Sequence, residues 1–283
     1  MLCDGPQRVR WDLGSHRLLY CARCALGQLS PLPSDDELQT LYASEAYFAD
    51  GSGVGYADYT ADAPRHARSF RFRLEWLLRS GPVEDLLEIG CGPGLFLVEA
   101  QRLGVRRVVG VDPNPWAVAQ ARAHGVDAHV GSVEAIDTGD RFDAIVMLDV
   151  LEHVRAPLPF LAAVRARLRP GGRLLVMTPN IRSLLARVSG RRWVSLKPPE
   201  HVRYYSPRSV RAVLRAAGFD VLTLRPAGQY VTVAFVLTRL EPLMPRVARA
   251  LQGVVRAVGI DGRAVFVTNG SMDVIARPAN AEA

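Results

Sequence analysis

Residues 86–96 read LLEIGCGPGLF, an apolar strand that runs into Gly90, Gly92 and Gly94 and then into a helix. Glycine lets the backbone turn sharply and approach a ligand closely, and the helix amino terminus that follows offers free N–H groups. The stretch is a cofactor loop. Dinucleotide-binding turns carry GxGxxG, whereas this loop reads GxGxG, with an acid, Glu88, two residues before the first glycine. The next apolar run, RRVVGVD (106–112), ends on Asp112, about 20 residues on, where a carboxylate can accept both hydroxyls of a ribose.

Outward from the loop the pattern is regular. Strands EDLLEIG (84–90), RRVVGVD (106–112), VDAHVG (126–131), FDAIVML (142–148) and RLLVMT (173–178) are interleaved with helices GLFLVEAQRLG (94–104), NPWAVAQARAHG (114–125) and LPFLAAVRARLRPGG (158–172). Nearly continuous apolar strands are buried on both faces, and strand, crossover helix, strand in this rhythm predicts a doubly wound, mostly parallel α/β sheet. The rhythm breaks at NIRSLLARVSGRRWVSLKPPEHVRYYS (180–206), too long and too aromatic for a simple connection, and we expect an active-site cover there. A helix, SPRSVRAVLRAAGF (206–219), a helical insertion over about 229–262 and a last strand, SMDVIARP (271–278), antiparallel at the sheet edge, complete the expected domain of residues 81–283.

Residues 1–80 read as an appendage: a cysteine-bearing hairpin, a Pro-rich link, a short helix from Asp36 and a second helix carrying Phe70, Leu74, Leu77 and Leu78 on one face. Cys21 and Cys24 form a CxxC, and with Cys3 they are candidate ligands of a structural zinc, one short of the usual four, with His16 a candidate fourth outside the usual knuckle spacing.

The 283 residues carry a net charge of +7, but the arginines are scattered singly rather than interleaved with aromatics in a run, which argues against nucleic acid as partner. No secretory signal is visible at the amino terminus, and VTVAFVLT (231–238) is far below the ~18 residues that span a bilayer. A cytoplasmic protein is expected, monomer or homodimer. The basic, amphipathic segment RLEPLMPRVARALQGVVRAVGI (239–260) reads either as a lid or dimer surface or as an interfacial helix in peripheral contact with a membrane.

Over about residues 70–225 the chain resembles the class I S-adenosylmethionine-dependent methyltransferases. LLEIGCGPG matches their first motif, VVGVDPNP the ribose-binding acid, FDAIVMLDVLEHV the fourth strand and LRPGGRLLVMTPN the turn and fifth strand. The resemblance implies a seven-stranded Rossmann-like sheet and S-adenosylmethionine as cofactor. Gly90, Gly92 and Gly94 would contact its methionine moiety, Glu88 the loop or the amino group, and Asp112 the ribose. Gly131 and Ser132 would lie beside adenine and Leu148 beneath the methionine. The match narrows to a bacterial subgroup with a cysteine-bearing, zinc-ribbon-like amino terminus and an HxxYxS segment, here HVRYYS (201–206); its two CxxC pairs are reduced here to Cys3 and Cys21-x-x-Cys24.

Methyl transfer to a hydroxyl or carbon acid needs a base, and His153 and His201 are the candidates. Within LDVLEHV (148–154), Asp149 and Glu152 have the spacing of a capping box. A divalent cation on Asp149, Glu152 and His153 stays open, since related ubiquinone-pathway O-methyltransferases use one near this place. The expected reaction is O-methylation of a small-molecule acceptor, a natural product, glycan or lipid intermediate. C- or N-methylation, or a non-catalytic S-adenosylmethionine-fold binding protein, are the alternatives. A nicotinamide oxidoreductase would need GxGxxG and a Tyr-x-x-x-Lys pair, and the chain has neither.

Overall fold

The computed structural model describes residues 3–43, 63–136, 139–240 and 244–279. Three antiparallel strands, β1 (Gln7–Asp12), β2 (Arg17–Cys21) and β3 (Leu26–Ser30), open the chain, and α1 (Asp35–Ala43) follows. The aromatic-rich stretch expected to end this helix lies, beyond Ala43, outside the described residues. From α2 (Ala63–Arg79) the chain alternates: β4 (Asp85–Ile89), α3 (Leu95–Arg102), β5 (Arg107–Asp112), α4 (Pro115–Ala123), β6 (Asp127–Val130), β7 (Phe142–Leu148), α5 (Pro157–Ala166), β8 (Leu168–Pro179). Then come α6 (Leu184–Ser189), β9 (Arg203–Tyr204), α7 (Pro207–Ala216), β10 (Phe219–Thr232), α8 (Val233–Leu240), α9 (Pro245–Ala257) and β11 (Ala264–Pro278).

The main sheet has seven strands in the order β10-β11-β8-β7-β4-β5-β6. Strands β8, β7, β4, β5 and β6 are mutually parallel, and β11 runs antiparallel to both its neighbours. The last strand is thus antiparallel, as its sequence suggested, but it lies inside the sheet, because β10 extends the hairpin beyond it and takes the edge.

The apolar strands feed two cores. Leu87, Ile89, Ile145, Met147 and Val176 pack under α5 and α7, while their neighbours Leu86, Ala144, Val146 and Leu175 pack under α2, α3 and α4. Alternate residues of one strand therefore serve opposite faces, which is why these strands read as unbroken apolar runs.

The amino-terminal strands are joined to the main domain through β9, which pairs with β3 (Gly27 opposite Tyr204) to make a four-stranded sheet, and Cys21, Cys24 and Leu26 belong to the larger core. A Cβ on Gly27 would come within 3.0 Å of Tyr204 Cβ, so this junction needs the missing side chain.

Candidate active site

Strands β5 and β7 flank β4 on opposite sides, so the chain leaves the sheet in two directions at the carboxyl end of β4. Open α/β sheets bind ligands at such a point. A cavity of about 220 Å³ lies there. Its floor is made by Glu88, Gly90 and Gly92 from β4 and its loop, by Asp112 and Pro113 from β5, and by Leu148 from β7.

The loop holds its shape through backbone bonds. Gly90 and Cys91 both donate N–H to the Val111 carbonyl, and Gly92 donates to Asp112 Oδ2 at 2.8 Å. Gly90 has φ +73°, and a Cβ there would come within 2.5 Å of Val150 Cγ2, so the position takes no side chain. Gly94 does not line the cavity; it lets α3 close on Ala121 of α4, where a Cβ would lie 2.9 Å away.

Asp112 is buried, and its second oxygen accepts from the Asn114 N–H at 2.9 Å. Each carboxylate oxygen thus keeps a lone pair for a further donor. Burial raises the Asp112 pKa to about 6, against the two N–H donors that lower it. Glu88 is buried too, its Oε2 has no partner, and burial followed by the nearby Asp112 pushes it well above the usual carboxylate range. Two buried acids, one with an orphaned oxygen, beside a glycine loop fit a cationic ligand that brings hydroxyl donors: the sulfonium, amino group and ribose of S-adenosylmethionine.

The opposite wall comes from distant segments. Tyr42 of α1, Ser69, Phe70 and Arg73 of α2, Gln229 of β10 and Asn269 of β11 join Asp149, Val150, His153 and Met177. Arg73 is buried and anchored, donating from Nε to Asp273 Oδ1 at 3.0 Å and from Nη2 to the Gly228 carbonyl at 2.8 Å.

LDVLEHV does not form the expected capping box. Leu151–His153 is a single 3₁₀ turn without a side-chain cap, and Asp149 takes φ +54°, an uncommon conformation for a residue with a side chain. Glu152 instead turns into the core, where it accepts from Thr178 Oγ1 at 2.9 Å. Burial raises Asp149 to about 6 and Glu152 well above its usual value, and for Glu152 the neighbouring Asp149 charge adds to the rise.

His153 stands on the cavity wall. Its Nδ1 lies 3.0 Å from the Glu200 carbonyl oxygen and 2.8 Å from Tyr42 Oη. A carbonyl can only accept, so Nδ1 carries the proton and Nε2 is left with the lone pair. Burial lowers the His153 pKa to about 4, with the Glu200 carbonyl opposing.

His201 is buried behind it, ring centroids 4.7 Å apart and edge to face, with Nδ1 2.9 Å from the Ser195 carbonyl oxygen. It does not line the cavity, and neither do Gly131 and Ser132. Ligand atoms of Glu152, His153 and His201 lie within 4.8 Å of one another. The expected cover is also less open than its sequence suggested: Trp193, Tyr204 and Tyr205 are among the largest fully buried side chains.

A second cluster brings Cys3, Cys21 and Cys24 within 4.8 Å of one another, with Cys3 and Cys21 sulfurs 3.6 Å apart. A tetrahedral zinc with sulfur ligands at ~2.3 Å would separate them by about 3.8 Å. The Cys24 backbone N–H lowers the Cys21 thiol pKa, whereas burial raises Cys24 to about 11. His16 is elsewhere, its Nδ1 3.1 Å from the Pro31 carbonyl.

Residues 59–224 match the Methyltransferase domain family. The chain belongs to this family. Among curated proteins, this chain is similar to the ubiquinone biosynthesis O-methyltransferase of Cereibacter sphaeroides, 33% identical over 148 residues, 48% of this chain and 60% of that protein. The chain thus matches about three-fifths of the length of such relatives. Among solved structures it is similar to magnesium protoporphyrin IX methyltransferase of Synechocystis, determined with bound S-adenosylhomocysteine, at TM-score 0.54 and 14% identity, covering 87% of this chain and all of that one. It is similar also to the (4+2)-cyclase SpnF at TM-score 0.55 and 21% identity, covering 89% of this chain and 99% of that one. At these identities the structures show the fold alone, which is that of the class I S-adenosylmethionine-dependent methyltransferases.

Arg73, Tyr42, Gln229 and Asn269 went unnoticed in the sequence. A signal existed for Arg73, a charged residue on the apolar face set by Phe70, Leu74 and Leu77. The other three carry none.

Proposed function

We propose that the chain moves a methyl group from S-adenosylmethionine to a hydroxyl of a small molecule, a natural product or lipid intermediate. The observation that carries this reading is one cavity bounded on one side by Glu88, Gly90 and Asp112 and on the other by His153. When bound, S-adenosylmethionine supplies a methyl group already activated on a sulfonium, so the protein's task is to align and deprotonate the acceptor.

Asp112 accepts the ribose hydroxyls, Glu88 takes the amino group on its orphaned oxygen, and Leu148 packs beneath the methionine. Nε2 of His153 takes the acceptor's proton, while Glu200 and Tyr42 hold the ring from behind. A ring held near 4 by burial is matched to an acidic, phenol-like hydroxyl more than to an alkanol. His201 positions His153 and does not meet the acceptor. The test is an acceptor screen with a coupled homocysteine assay: turnover of phenolic but not alkanol acceptors is expected, and no turnover of any hydroxyl compound would overturn the reading.

The Glu152, His153 and His201 cluster favours a second reading, in which these three residues would hold a divalent cation whose charge would lower the pKa of the acceptor hydroxyl. Loss of turnover with EDTA and recovery with Mg²⁺ or Mn²⁺ would establish it. In the amino-terminal sheet we propose that Cys3, Cys21 and Cys24 hold a structural zinc, leaving one tetrahedral position for a ligand from outside this trio.

A further inference from the structure

Helix α9 is attached to the domain by one side. Ala248 is fully buried, and Gln252 and Val255, four and seven residues on, are partly so. A neighbouring face carries Val247, Leu251, Val254 and Val258, spaced by four, three and four residues, and these are 46%, 42%, 59% and 60% exposed. At 3.6 residues per turn they form one continuous apolar stripe turned to solvent.

Pro245–Ala257 holds three arginines, Arg246, Arg249 and Arg256, and no carboxylate, and Asp261 and a fourth arginine, Arg263, follow its end. Among the described residues none of these four forms an ion pair. The charge decides between occupants. At about 100° per residue Arg249 and Arg256 lie on the face opposite the stripe and Arg246 to its side, the layout of a basic interfacial helix. A second copy packed stripe to stripe would leave these arginines uncompensated, whereas an anionic surface neutralises them while the stripe enters the headgroup boundary.

We propose that α9 lies on an anionic lipid bilayer, its stripe in the interface and its arginines among the headgroups. The hairpin that carries α9 also lends Gln229 and Asn269 to the cavity wall, so a bound chain holds that wall close to the lipid surface.

Co-sedimentation of the full chain with vesicles tests this, using phosphatidylglycerol mixed into phosphatidylcholine against phosphatidylcholine alone. The chain should pellet with the anionic vesicles at least ~10-fold better than with the neutral ones, and the preference should fade in 0.5 M salt, above about 0.15 M where screening is already short-ranged. Leu251→Asp with Val254→Asp should abolish pelleting. Both residues face solvent, so the fold should survive, which circular dichroism and retained S-adenosylhomocysteine binding check. Val9→Asp, at an exposed valine in β1, should pellet like the parent.

Equal recovery from both vesicle types, or none from either, would overturn the proposal. So would unchanged pelleting of the Leu251/Val254 variant, or a stripe-dependent dimer in sedimentation velocity without vesicle binding.

Discussion

The phenolic oxygen of Tyr42 lies 2.8 Å from Nδ1 of His153, a residue 111 positions later in the chain. Tyr42 comes from α1 and reaches the end of β5 because Asn114 Nδ2 donates to its backbone carbonyl at 2.7 Å. The appendage thus completes the wall against which the proposed base is set.

His153→Ala should lower kcat by ~10²-fold or more, the usual worth of a positioned base, while S-adenosylhomocysteine affinity stays within about twofold by calorimetry. Tyr42→Phe keeps the ring and loses the hydroxyl, so a smaller fall, about 3–10-fold, is expected. Unchanged kcat in His153→Ala would move the base elsewhere.

Ribose binding by Asp112 requires its carboxylate. Its pKa is raised by burial to about 6, so S-adenosylhomocysteine affinity should be steady above that pH and weaken toward ~10-fold per pH unit below it. Calorimetry from pH 5 to 8 checks this. An affinity flat down to pH 5 would remove Asp112 from the ribose site.

Without ligand the same groups destabilise the chain at neutral pH. For an acid whose folded pKa lies above its unfolded value, the folded state binds the extra proton, so its stabilising share is present at low pH and is lost as pH rises to the folded pKa. Asp149, raised to about 6, should lose its share between about pH 4 and 6. Asp149→Asn removes the charge and suits the left-handed backbone, and should stabilise the ligand-free chain by about 1–3 kcal/mol at pH 7.5 and by little at pH 4. Urea unfolding at the two pH values measures the difference.

The ion pair of Arg73 with Asp273 is buried on both sides, and Arg225 donates to the second oxygen at 3.2 Å. Arg73→Met leaves Asp273 with one cation in place of two and should cost about 3 kcal/mol in urea unfolding. A loss below about 1 kcal/mol would mean that Arg225 alone satisfies the carboxylate.

If Cys3, Cys21 and Cys24 bind zinc, the purified chain should contain about one equivalent by mass spectrometry, and Cys24→Ser should abolish it and lower Tm by several degrees. A metal-free chain with unchanged Tm in Cys24→Ser would show that the trio packs as thiols.

The sheet was legible because its signals are local. Continuous apolar strands, the glycines after Glu88 and the acid closing β5 each lie within a dozen residues, and all of them meet at the carboxyl end of β4. The acceptor side was not. Tyr42, Arg73, Gln229 and Asn269 converge from four elements, and no periodicity in the chain records that convergence. LDVLEHV misled because capping-box spacing says nothing about burial: Thr178, on β8, gives Glu152 a partner in the core, and the turn tightens to 3₁₀. The sequence of 180–206 suggested a cover for its aromatics, yet Trp193, Tyr204 and Tyr205 pack inward to join the small sheet to the large one.

Calorimetric titration of the chain with S-adenosylhomocysteine, and separately with NAD, decides which cofactor the cavity at the end of β4 takes. One-to-one binding of S-adenosylhomocysteine that weakens by ~10²-fold in Asp112→Ala is expected, with no heat from NAD. Binding of NAD without S-adenosylhomocysteine, or S-adenosylhomocysteine affinity indifferent to Asp112, would contradict the assignment of S-adenosylmethionine to this cavity.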